Sequence, residues 1–168
     1  VESGATDPQV VNRFISVPQL PQVVSLIAED RSALVSLDEP YKVMVQGYNL
    51  RNVRETELVL RYPVGLLRVV GGRLGIEPGQ VFAPYMERTG VRVPMQVEVD
   101  ADLGLIWVRI THPPETEVDR LTGSLCAIRL MGTEVGQGRI YLDSARFTTT
   151  GGQVLELGAV ELPISVAR

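Results

Sequence analysis

A chain of 168 residues, 45% apolar and 21% charged, has the length and composition of one ordinary globular domain, which excludes an intrinsically disordered polymer. Its net charge of −4 is spread without runs, which excludes a nucleic-acid or anionic-membrane surface built on bulk positive charge. The single cysteine, Cys126, excludes an internal disulfide framework, and no apolar run approaches the roughly 20 residues of a spanning helix.

Residues 1–22 read as an N-terminal extension, broken by Gly4, Pro8, Pro18 and Pro21, within which Arg13–Val17 could add an edge strand. The chain opens on Val1 with no basic-then-apolar leader, which suits a processed or excised piece. Of the 16 basic residues only Lys42 is lysine, a ratio that a compositional bias of the genome explains as well as any need for the guanidinium fork. Val23–Ala28 is a short apolar run, Ala33–Leu37 a second, and Asp38-Glu39-Pro40 a turn between the second run and an alternating strand over Tyr41–Tyr48.

The stretch Glu55–Val70 (ETELVLRYPVGLLRVV) carries the clearest pattern. Leu58, Leu60 and Tyr62 share one side, and Glu57, Val59 and Arg61 the other, the period of a strand with one face in a core. Pro63 has no N–H for a ladder and stops the strand. Gly71–Gly90 reads as a long connection with a turn of helix. Val91–Asp100 alternates, with Pro94 marking a sheet edge or bulge, and Leu105–Thr111 sets Ile106, Val108 and Ile110 on one side. After a polar loop over Pro113–Thr122 come strands at Ser124–Leu130 and Arg139–Phe147, a glycine turn over Thr148–Gln153, and one or two closing strands in Val154–Val166. No segment of ten or more residues holds a helical period. The predicted fold is all-β, a β-sandwich of jelly-roll topology with about nine strands, and a closed barrel is the weaker alternative.

The order of these motifs resembles the cohesin family. LVLRYPVGLLRVVGG is similar to a strand ending in tyrosine that leads through a proline turn into a leucine-valine strand, GSLCAIRL (Gly123–Leu130) to a glycine-led strand with Leu130 in place of an aromatic, and GRIYLDSARFTTTGGQVL to the closing strands. The likeness spans residues 23–166, and makes Glu57–Tyr62 the third strand. It implies a non-catalytic module that attaches a protein partner, dockerin-like or other, in a secreted or cell-surface assembly, with no cofactor of its own. The family's tyrosine-aspartate-proline turn is here Tyr62-Pro63-Val64, a departure that leaves the fold inference intact and puts standard dockerin recognition in doubt. In the family the contact surface is the outward face of one sheet, so the implied partner-binding set is Glu57, Val59, Arg61, Leu105, Trp107 and Arg109. A tryptophan and two arginines among aliphatic neighbours is the composition of an interface hot region, while a tryptophan packed beneath a loop or beneath the N-terminal extension is the plainer reading of Trp107.

The chemistry-bearing residues read as bland. His112, the only histidine, sits at a strand end before Pro113 and has no visible nucleophile or orienting group. Cys126 shares parity with Ile128 and Leu130 and reads as a small core residue. Asp100, Asp102 and Gly104 resemble the start of a calcium loop, but neither Gly104 nor Glu98 supplies the ligands that must follow, so no metal site is expected. Gly71-Gly72 lacks the strand–GxGxxG–helix context of a phosphate cradle. Two classes remain: a protein-binding module and, as the alternative, a polysaccharide-binding module on the same sandwich. One tryptophan, five tyrosines and three phenylalanines are few for a sugar-stacking platform, which favours protein binding. An enzyme comes third, because no acid pair or triad is visible.

Overall fold

The computed structural model describes residues 20–30 and 32–168, so the edge strand expected at Arg13–Val17 lies outside the described residues. Among the described residues twelve strands are present, where the sequence suggested about nine: β1 (Val23–Ala28), β2 (Leu34–Ser36), β3 (Pro40–Leu50), β4 (Val53–Arg61), β5 (Leu67–Val69), β6 (Ile76–Pro78), β7 (Met95–Asp100), β8 (Leu105–Thr111), β9 (Leu121–Gly132), β10 (Gly136–Thr149), β11 (Val154–Leu157) and β12 (Val160–Ala167). β2 and β5 lie within the apolar run Ala33–Leu37 and the leucine-valine run after Pro63, and β6 lies in the glycine-rich connection; at three residues each they are too short to show a period. Among the described residues one α-helix, α1 (Ala83–Thr89), follows β6 and ends on Gly90 in the left-handed region.

Two sheets pack face to face, a β-sandwich and not a barrel. The first sheet runs β1-β3-β9-β5, with β6 also on β9; the second runs β2-β12-β10-β4-β8-β7, with β11 also on β10. Named pairs are antiparallel except β2 with β12. The chain changes sheet at every step from β1 to β5, between β6 and β7, and on each side of β9, the crossed connectivity expected of a jelly roll. The strand expected third in chain order is thus the fourth.

Alternation supplies the core. Leu58 and Leu60 on β4, Ile106, Val108 and Ile110 on β8, and Leu142 and Phe147 on β10 are buried and face Val43 and Val45 of β3 and Leu125, Ile128 and Leu130 of β9. Each such side chain contributes roughly 1.5–3 kcal/mol through loss of its apolar surface to water. Pro63 ends β4 as expected. Its carbonyl then accepts the N–H groups of Leu66 and Leu67 at 3.1 and 3.0 Å, and the turn carries the chain into the opposite sheet, where β5 pairs with β9.

Candidate functional site

The alternation that buries Leu58 and Leu60 sends their neighbours to the outward face of the second sheet, and the register lines them up in rows. Across β10, β4, β8 and β7 the rows read Tyr141–Arg61–Leu105–Asp100, Ser144–Val59–Trp107–Glu98 and Arg146–Glu57–Arg109–Gln96. All six residues expected to bind a partner therefore share one face, with Val59 and Trp107 directly opposed near its middle. Arg61 and Arg109 are exposed; Glu57, Val59, Leu105 and Trp107 are half-buried among them.

The polar groups of this face hold one another in place. Arg61 donates to Asp143 from Nε (3.0 Å) and Nη2 (3.2 Å), a bidentate pair, and its guanidinium lies 4.2 Å from the ring centre of Tyr141. The hydrogen bonds it donates to Asp143 raise the Arg61 pKa above its ordinary value, so this guanidinium stays charged. The Trp107 indole N–H donates to Glu57 Oε2 at 2.9 Å, and Arg109 Nε donates to Glu55 Oε1 at 2.9 Å. An aromatic and two planar cations are thereby fixed before any partner arrives, which lowers the side-chain entropy lost on docking. Exposed ion pairs of this kind add little to folding stability.

Sequence reasoning missed Asp143 and Tyr141. A bulge in β10 sets Leu142 opposite Leu60 and Ser144 opposite Val59, leaving Asp143 as the extra residue that reaches Arg61. The signal was present: apolar parity runs through Ile140 and Leu142 and then resumes at Ala145 and Phe147, one residue out of step.

The other chemistry-bearing residues are placed as structure. His112 is not a loop residue in water but a buried one. Its Nε2 lies 2.7 Å from Thr56 Oγ1, its ring meets Phe82 edge-on with centroids 4.9 Å apart, and its Nδ1 has no partner among the described residues. Burial pushes its pKa down to about 4, which keeps the ring neutral near pH 7. Cys126 is fully buried and its thiol is pushed up to about 12, so it is a core side chain and not a nucleophile. Asp100 closes the β7–β8 hairpin: its Oδ1 accepts the N–H groups of Asp102 and Leu103, each at 3.1 Å. Among the described residues no group of three or more His, Cys, Asp or Glu side chains could hold a metal ion. Gly71 and Gly72 lead into a single 3-10 turn, Gly72–Gly75, followed by β6.

No protein-family model matches the sequence, and no curated protein matches it. Solved structures do share its fold. A type II cohesin–X-dockerin complex from Acetivibrio cellulolyticus superposes with a TM-score of 0.69 at 10% identity, covering 88% of this chain and 100% of that one. A non-cellulosomal cohesin from the hyperthermophilic archaeon Archaeoglobus fulgidus gives 0.64 at 16% identity, over 87% and 92%. A type I cohesin–dockerin complex from Clostridium thermocellum gives 0.65 at 14%, over 86% and 99%. The chain carries a divergent cohesin-like fold.

Proposed function

We propose that this chain is a non-catalytic protein-binding module of a secreted or cell-surface assembly, and that a dockerin-like or other protein partner docks on the outward face of the second sheet. The observation that carries the reading is the pre-set row Ser144–Val59–Trp107–Glu98, flanked by Arg61 and Arg109 already fixed by Asp143 and Glu55. The likeness to cohesins solved with dockerins supports it from the side of the fold. The face is poor for stacking sugars. Of its aromatics, Tyr141 is roofed by the Arg61 guanidinium and Trp107 is half-buried, which leaves no flat row of open rings.

Calorimetric titration with type I dockerin and type II X-dockerin modules, alongside pull-down from secreted proteins, tests the proposal. Trp107→Ala is expected to weaken a captured partner by at least about 2 kcal/mol, roughly 30-fold, as removal of a central interface aromatic does. Arg61→Glu is expected to abolish capture. Unchanged capture by both folded variants would reject this face, and retention on insoluble polysaccharide would favour the carbohydrate reading.

A further inference from the structure

The two ends of the second sheet differ. At one end lies β2, only three residues long, a common way of blunting an edge. At the other lies β7, six residues long, which among the described residues pairs with β8 alone and does so over six residue pairs without a register shift. No bulge, central proline or inward-pointing charge guards it: Met95, Val97 and Val99 form its inward row, half-buried.

Antiparallel ladders alternate, so one hydrogen bond reveals which groups are free. Thr111 N–H donates to the Pro94 carbonyl at 3.0 Å, while His112 N–H turns the other way to Arg54. The β8 residues whose backbone faces β7 are therefore Leu105, Trp107, Arg109 and Thr111, and their partners Asp100, Glu98 and Gln96 spend both backbone groups on β8. The N–H and C=O groups of Met95, Val97 and Val99 point away from the sheet. Met95 and Val97 line a groove of about 550 Å3 together with Arg73, Leu74, Arg92 and Trp107. Leu74 is 76% exposed there, an unusual position for a leucine beside an unpaired strand.

We propose that the β7 edge accepts an extended segment of a protein partner as an added strand, with apolar residues at alternate positions seated against Leu74, Met95 and Val97 and a carboxylate meeting Arg73 and Arg92. Charge selects the occupant. The chain as a whole is acidic, yet both arginines of the groove lack a carboxylate within ion-pair distance among the described residues, and Arg92 makes only a 3.3 Å bond to the Ile76 carbonyl. Glu98 also borders the groove, but it belongs to the outward row beside Trp107. A second copy of the chain would bring its own β7, whose acids Glu98 and Asp100 also belong to the outward row, and would leave the arginines unmet. Main-chain bonds would supply affinity and the alternate side chains specificity. The groove adjoins the face that Arg61 occupies, since Trp107 lines both, but the added strand uses the backbone edge of β7 and not the outward side chains of β4.

The test uses the full chain and a fluorescein-labelled synthetic peptide, Glu-Glu-Val-Thr-Val-Thr-Val-Thr, with a Lys-Lys version as control. Fluorescence anisotropy is expected to show saturable binding of the acidic peptide and about tenfold weaker binding of the lysine peptide, the ratio reversing in Arg73→Glu. Val97→Pro removes an outward N–H without touching the ladder to β8 and is expected to weaken binding at least about tenfold, about 1.4 kcal/mol. Arg61→Glu is expected to leave it unchanged. In the unmutated chain, peptide should protect the Met95, Val97 and Val99 amides from hydrogen exchange, a readout that does not depend on how well Val97→Pro folds. Absence of binding, equal binding of the two peptides, or binding without protection of those three amides overturns the proposal. So does a dimer, seen by sedimentation, that Val97→Pro dissolves, because a second copy would then be the occupant.

Discussion

Buried His112 makes the stability of this fold depend on pH in a defined window. The folded ring titrates near 4, because burial disfavours its charged form, whereas an unfolded histidine titrates near 6.5. Between those values the unfolded chain binds the proton and the folded chain does not, so stability falls as pH drops from about 6.5 towards 4 and levels off below. Applied between about pH 7 and about pH 4.5, the linkage relation gives a loss of about 2.5 kcal/mol. The perturbation that isolates it is His112→Gln, which removes the titrating group and keeps a polar side chain for Thr56. Urea unfolding of both proteins at the two pH values is the assay. The parent is expected to lose about 2.5 kcal/mol more than the variant on acidification. Asp30, held below its usual value first by Ser32 and then by Tyr41, contributes stability that is lost only below about pH 4, and equally in both proteins. An equal acid loss in the two proteins would refute the reasoning, and would mean that His112 is solvated or partnered when folded.

Thr56→Val removes the one hydrogen bond of the His112 ring and leaves two buried ring nitrogens without partners; a cost of about 1–3 kcal/mol in urea unfolding is expected near pH 7. Gly104→Ala places a Cβ 2.3 Å from the Tyr62 carbonyl at a φ of +69°, and a destabilisation of at least about 2 kcal/mol should appear as a lower thermal midpoint. Leu58→Ala opens the centre of the core and is expected to cost about 3–5 kcal/mol by the same denaturation measurement. Cys126 is expected to resist a thiol reagent in the native protein and to react once in denaturant; rapid native labelling would show that β9 opens.

How much of the molecule could be read from sequence follows from the range of the forces involved. The bounds of β1 and β8 coincide with the runs Val23–Ala28 and Leu105–Thr111, because alternation is a property of neighbouring residues. β7 is shorter than its alternating run, since Val91–Pro94 precede the ladder and β7 begins at Met95. The resemblance implied β5 as a leucine-valine strand after Pro63, whereas β6 was hidden in the glycine-rich connection, and both exist because β9 offers them an edge. The outward set Glu57, Val59, Arg61, Leu105, Trp107 and Arg109 was legible because parity alone separates the faces of a strand.

Local pattern by itself thus determined that the chain is all-β and which side chains of β4 and β8 turn outward. Tertiary structure decided what those side chains meet. Glu55 reaches Arg109, and Asp143 reaches Arg61 through a bulge in a strand far along the chain. It decided that His112 is sealed beneath Phe82 and that β7 becomes an end strand of its sheet beside two arginines. These facts depend on register and on which strands become neighbours, and both are settled by burying the whole core at once, not by any single segment.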